Sequence, residues 1–133
     1  MPEPKTKKTK ASVAAFIDAL EDDTRRKDAK AVDKMFREIT GEKPAMWGPT
    51  MIGYGSYESP TGTWPGGSFS PRKANLVLYV LSDYAGRGAL LRKLGKHKTG
   101  KVCLYINKLS DVDEGVLREL VTRCWKRMQV KYR

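Results

Sequence analysis

Histidine occurs once in this 133-residue sequence and cysteine twice. A structural zinc site draws four such ligands from close pairs, and no C-x-x-C or mixed Cys/His cluster is present. Cys103 sits inside an apolar run and Cys124 on an apolar helical stripe, so both read as buried thiols of a reducing compartment. Long apolar runs are missing as well: nothing approaches the roughly 18 residues that span a bilayer. The opening segment, MPEPKTKKTK, has no apolar block behind its lysines. That predicts neither a secretory leader nor a membrane anchor, and so a cytoplasmic protein. A nucleophile set beside a base is also lacking, since neither Ser70 nor Cys103 has a recognisable motif around it. The expectation is a protein without catalytic activity and without a bound cofactor.

What is present suits one folded domain. A chain of this length buries about two-thirds of its unfolded surface, enough for a core without disulfide or metal staples. Hydrophobic residues make up 40% and charged residues 31%, which excludes wholesale disorder. The net charge is +11, distributed unevenly: +3 in residues 1–10, −2 in 11–42 and +10 in 43–133. A field of that sign draws phosphates, nucleic acid or acidic protein surfaces; the plainer alternative is a soluble surface that happens to be basic.

Residues 1–11 are polar and lysine-rich with Pro2 and Pro4, and are predicted to form a disordered basic arm ahead of a single domain over 12–133. Ser12 caps a short helix with Val13, Phe16, Ile17 and Leu20 at helical spacing. Asp22, Asp23 or Thr24 caps a longer one through Thr40, striped by Val32, Met35, Phe36 and Ile39 and stopped by Gly41. The two should form an antiparallel helical hairpin. From Pro44 the composition turns to Pro, Gly and aromatics. Met51 to Tyr57 alternates weakly as a strand, and Ser59 to Gly67 reads as a loop or hairpin turn. Ala74 to Leu81 is the clearest strand, Gly88 to Leu94 a short helix, and Val102 to Ile106 a second central strand. A final helix opens at Ser110 or Asp111 and carries Val116, Leu117, Leu120, Val121, Cys124, Trp125 and Met128 three and four apart. Helices at both ends around short strands predict an α+β two-layer sandwich, the helical hairpin and last helix packed on a mostly antiparallel sheet.

Gly95-Lys96-His97-Lys98-Thr99-Gly100-Lys101 matches the first seven positions of a phosphate-binding loop. Val102 stands where that motif needs Ser or Thr, and the flanks are reversed, with a helix before the loop and a strand after it. Those departures argue against nucleotide hydrolysis by this loop. Lys96, His97, Lys98 and Lys101 still gather charge beside glycines whose N–H groups are free to face an anion. Arg72 and Lys73 enter the neighbouring strand on opposite faces, so only one can join that loop. Arg72 is the choice, because its fork holds a carboxylate or phosphate through two hydrogen bonds. Trp47 and Tyr54 are candidates to wall the pocket, with closure of the core as the alternative. Asp18, Glu21 and Asp22 fall at i, i+3 and i+4 and would share a face of the first helix, a weak candidate for ferrous iron or another hard cation.

Several of these segments together resemble the YdhG-like bacterial domain of unknown function. They are Met46-Trp47-Gly48-Pro49, Ile52-Gly53-Tyr54-Gly55, Phe69-Ser70-Pro71-Arg72-Lys73, Asn75-Leu76-Val77-Leu78-Tyr79, and the stretch from Gly95 to Lys101 with Cys103-Leu104-Tyr105-Ile106. The likeness runs from about Ser12 to Cys124. It implies a compact cytoplasmic α/β domain with no accepted enzymatic activity; some relatives are compared with frataxin and regarded as iron chaperones. Three functions therefore stand as expectations. The first is a binding module for an anionic small ligand or acidic partner at the basic loop. The others are a frataxin-like iron chaperone and non-specific nucleic-acid binding by the lysine arm and last helix.

Overall fold

A computed structural model describes residues 8–60 and 62–131. Residues 1–7 of the anticipated arm lie outside the described residues. Lys8 and Thr9, within that arm, pair with the body of the protein: Lys8 bridges to Trp47, and the Thr9 amide donates to the Met46 carbonyl at 2.8 Å.

The chain starts with helix α1 (Val13–Asp18), capped by Ser12, whose hydroxyl accepts from the Ala15 amide at 3.1 Å. Helix α2 (Asp23–Thr40) is capped by Asp22 through the Arg25 amide and ends at Gly41, whose φ of 70° is the left-handed stop the sequence promised. Strands β1 (Pro44–Trp47) and β2 (Met51–Tyr54) follow. A separate hairpin, β3 (Tyr57–Ser59) with β4 (Gly62–Trp64), fills the stretch read as loop or turn. Then come β5 (Gly67–Pro71), β6 (Leu76–Leu78), helix α3 (Arg87–Leu94), β7 (Lys98–Thr99), β8 (Leu104–Ile106) and helix α4 (Glu114–Lys131). The last helix opens later than expected. Leu109–Asp111 is a 3-10 turn, and Asp113 supplies the capping carboxylate, accepting from the Val116 amide at 3.0 Å.

Six strands form one sheet in the order β1-β2-β5-β6-β8-β7, and every neighbouring pair is antiparallel. The fold is thus the α+β layering expected from the sequence. Strand alternation sorts the side chains cleanly. On one face Ile52, Tyr54, Phe69, Leu76, Leu78, Leu104 and Ile106 meet Val32 and Phe36 of α2 and Leu117, Leu120 and Val121 of α4 in a continuous core. Register puts Ser70 opposite Val77, Val77 opposite Tyr105 and Tyr105 opposite Lys98, so these four form a row on the outer face. The strand read as Ala74 to Leu81 is laddered over three residues only. Beyond Leu78 the extended chain is held by single bonds, Tyr79 N to Ser68 O and Leu81 N to Val102 O. Among the described residues no helix is long and apolar enough to cross a membrane.

Candidate functional site

The β5–β6 turn is closed by the Arg72 amide donating to the Asn75 carbonyl at 2.9 Å. Pro71 faces the core with Leu76, which turns Arg72 to the outer face. There its guanidinium Nη2 donates to the Tyr79 hydroxyl at 3.0 Å. Burial raises the Tyr79 phenol above its ordinary range, and the Arg72 charge partly opposes that. Tyr105 lies in the same row as Val77 and Lys98. Its phenol is raised mainly through a hydrogen bond with the Cys103 thiol, again opposed by Arg72. One guanidinium thus acts electrically on two phenols. Among the described residues neither Arg72 nor Lys98 has a carboxylate within ion-pair distance. Arg72, Lys98, Tyr79 and Tyr105 form an electropositive, hydroxyl-bearing strip on the outer face.

The glycine-flanked loop contributes less than its composition suggests. Gly95, at φ 118°, ends α3, and a Cβ there would meet the Asp111 carbonyl at 2.4 Å. The Lys96 amide donates to Asp111 O, and His97 turns back on its own turn, its Nδ1–H donating to Gly95 O at 2.7 Å. Gly100 N donates to Cys103 O, making residues 98–104 a tight hairpin at the sheet edge rather than a cradle. Lys96, Lys98 and Lys101 are exposed. Two strands separate β5 from β7, which sets their backbones roughly 14 Å apart. Arg72 and Lys98 therefore share a face without enclosing a cavity. Lys96, His97 and Lys101 stay with that edge hairpin, while Lys73 borders a separate hollow with Arg72 and Arg25.

The aromatic candidates fare differently. Tyr54 is fully buried on the helix side, its ring stacked 4.9 Å from Phe36 and its hydroxyl donating to Asp33 Oδ1 at 2.5 Å. It is a core residue, and the expectation that it walls a ligand pocket is corrected. Trp47 is 3% exposed, its indole laid over Gly53 so closely that a Cβ on that glycine would sit 2.5 Å from the ring. It packs on the outer face beside Pro65 and borders a hollow of about 570 Å³ with Lys8, Lys43 and Gly55, away from Arg72 and the lysine loop. Tyr57, Trp64 and Tyr79 border a different space. With Met51, Val102 and Met128 they line a largely apolar cavity of about 320 Å³ between the β3–β4 hairpin, the sheet and α4. At its inner end Ser82 Oγ and Cys124 Sγ share a hydrogen bond of 3.2 Å, and burial raises the Cys124 thiol. Alternation from the apolar pair Leu76 and Leu78 already set Val77 and Tyr79 on the other face.

The acidic trio is taken apart by the fold. α1 stops at Asp18, so Glu21 and Asp22 belong to the connection and not to its face. Asp18 pairs with Lys30 at 3.2 Å, and Asp22 is committed to capping α2. Glu21 and Asp22 border a hollow of about 440 Å³ shared with Arg25, Arg72 and Lys73, cations that oppose a metal ion there. Among the described residues no group of three or more His, Cys, Asp or Glu side chains is placed to hold a metal. Arg25, which the sequence did not single out, is 9% exposed; it donates to Asn107 O at 2.7 Å and leaves a buried Nε without a partner.

No family model, curated protein or solved structure matches the chain.

Proposed function

We propose that this chain is a non-enzymatic binding module for a small anionic ligand, held on the outer sheet face with Arg72 as its principal contact. The observation that carries this is an exposed guanidinium, oriented by the Tyr79 hydroxyl and free of any carboxylate partner among the described residues. An arginine held at one Nη keeps its remaining donors for a bidentate oxyanion. Lys98, across the Tyr105 row, adds a second unpaired charge, and the excess of +10 over residues 43–133 attracts anions to this side of the sequence. The kinship with YdhG-like domains and a cytoplasmic setting belong to the same proposal and rest on the motifs and thiols already quoted.

A thermal-shift screen at constant ionic strength tests it. Phosphate and simple carboxylates should raise the melting temperature of the wild type, with a stabilisation of about 2.7 kcal/mol at a hundredfold excess over Kd. Arg72→Gln, an exposed change in a turn, should fold normally and lose that shift, while Lys98→Ala should reduce it. A wild type indifferent to every anion overturns the reading.

A further inference from the structure

We infer that the cavity beside Tyr79 receives the flat apolar body of the ligand, so that the molecule bound is an amphipathic oxyanion, an aromatic or alicyclic ring bearing a carboxylate or phosphate. The inference rests on the anion reading above and specifies the ligand's other half. Tyr79 joins the two parts: its hydroxyl accepts from Arg72, and its side chain lines the cavity. The remaining wall has the chemistry of a ring-binding slot. Trp64 and Tyr57 offer aromatic surface, while Met51 and Met128 are flexible thioethers that fit around a ring. Gly66 and Gly67 present backbone without side chains. A volume of about 320 Å³ is at the small end of small-molecule sites, room for a one- or two-ring body and too little for a folded peptide segment. Charge complementarity fixes the direction of binding. The apolar wall has no carboxylate in it, and an unpaired guanidinium is held on the hydroxyl of Tyr79, which lines it, so the charged end of a guest points towards the sheet face. Val102 is 47% exposed at the rim, in the β7–β8 turn, an apolar side chain left in water where a bound ring would cover it.

The experiment uses the full chain and three probes: 2-naphthoate, the neutral 2-naphthalenemethanol, and inorganic phosphate. Affinities come from calorimetry and location from amide shifts of Gly66, Gly67, Ser68 and Val102. Naphthoate should bind at least about tenfold more tightly than the alcohol, a factor worth one well-made charge-assisted contact. Both should shift the cavity amides. Arg72→Gln should bring naphthoate down to the affinity of the alcohol and leave the alcohol unchanged. Val102→Trp, which fills the mouth, should abolish both, with Met128→Trp as the second filling variant if the first does not fold. Failure of both naphthyl probes to bind overturns the inference, and the phosphate arm then shows whether anion binding at Arg72 stands without it. Equal affinity for acid and alcohol, unaffected by Arg72→Gln, overturns the inference, and the anion reading falls with it when phosphate also fails to bind.

Discussion

Tyr54 shows how one side chain carries both packing and polarity. Its ring stacks against Phe36 and Phe69 in the centre of the core, and its hydroxyl reaches Asp33, which Arg37 Nε also contacts at 3.2 Å. Burial first, and then the Asp33 carboxylate, hold the phenol protonated well above the ordinary tyrosine value of 10.0. Tyr54→Phe should cost roughly 1.5–3 kcal/mol, the range for a hydrogen bond to a charged group, read from urea unfolding at pH 8. The sign of the pH effect follows from the raised value. The unfolded phenol ionises near pH 10 while the folded one does not, so stability is intact below that pH and declines as pH climbs beyond it. The gap between wild type and Tyr54→Phe should therefore narrow between pH 9 and pH 11; a gap that widens contradicts the assignment. In the sequence Tyr54 stood among glycines and prolines, where an aromatic reads equally as pocket wall or core. Only the partnership of Ile52 with Phe69 and of Tyr54 with Gly67 decides its face. Arg72 was legible because alternation allows one of two adjacent strand residues to face a site, and the turn geometry selected it.

Helix ends were the most readable elements, because caps are local chemistry. Asp22 Oδ2 accepts the Arg25 amide at 2.7 Å, satisfying one of the first-turn donors that α2 leaves unpaired. Asp22→Ala should lower stability by about 1 kcal/mol, and Asp22→Asn should restore most of it, measured by chemical denaturation. An equal loss for both would mean that charge, and not the cap bond, is what Asp22 supplies. The same residue was also read as a metal ligand, an assignment its capping role and its cationic neighbours remove. The start of α4 was misplaced by a few residues for a tertiary reason. Gly95 bridges to Val112, and Asp113 N donates to Leu94 O, so the segment after β8 is held against the end of α3 before a helix can begin. Ser110 and Asp111 are good local caps, but that pairing outcompetes them.

At the scale of the molecule, α4 meets the segments on either side of the β3–β4 hairpin through Trp125. Its indole lies against Gly55, Gly66 and Gly67, and a Cβ on Gly66 would stand 2.6 Å from the ring. Gly66→Ala should therefore destabilise by about 1–3 kcal/mol, the usual penalty for overpacking. In a Trp125→Leu background the same change should cost much less, a coupling that a double-mutant cycle measures directly. Additive losses would show that Gly66 is constrained by its backbone rather than by the indole. Gly66 and Gly67 also belong to the wall of the 320 Å³ cavity, whose lining comes from strands, hairpin and last helix, segments as far apart as Met51 and Met128.

Residue order alone determined the helices, the caps of the first two, the basic character of the later chain and the α+β class, because each follows from periodicity, turn chemistry or charge within a few neighbours. Tertiary structure decided the rest. Strand β2 lies beside β5 and β6 beside β8, pairings that skip intervening elements and are bought with loop closure rather than local preference. Those pairings choose which face each strand residue takes. They buried Tyr54 and Trp47, brought Tyr79 out beside Arg72, left the lysine loop as an edge hairpin, and opened a cavity where the sequence had shown only glycine, proline and aromatic residues.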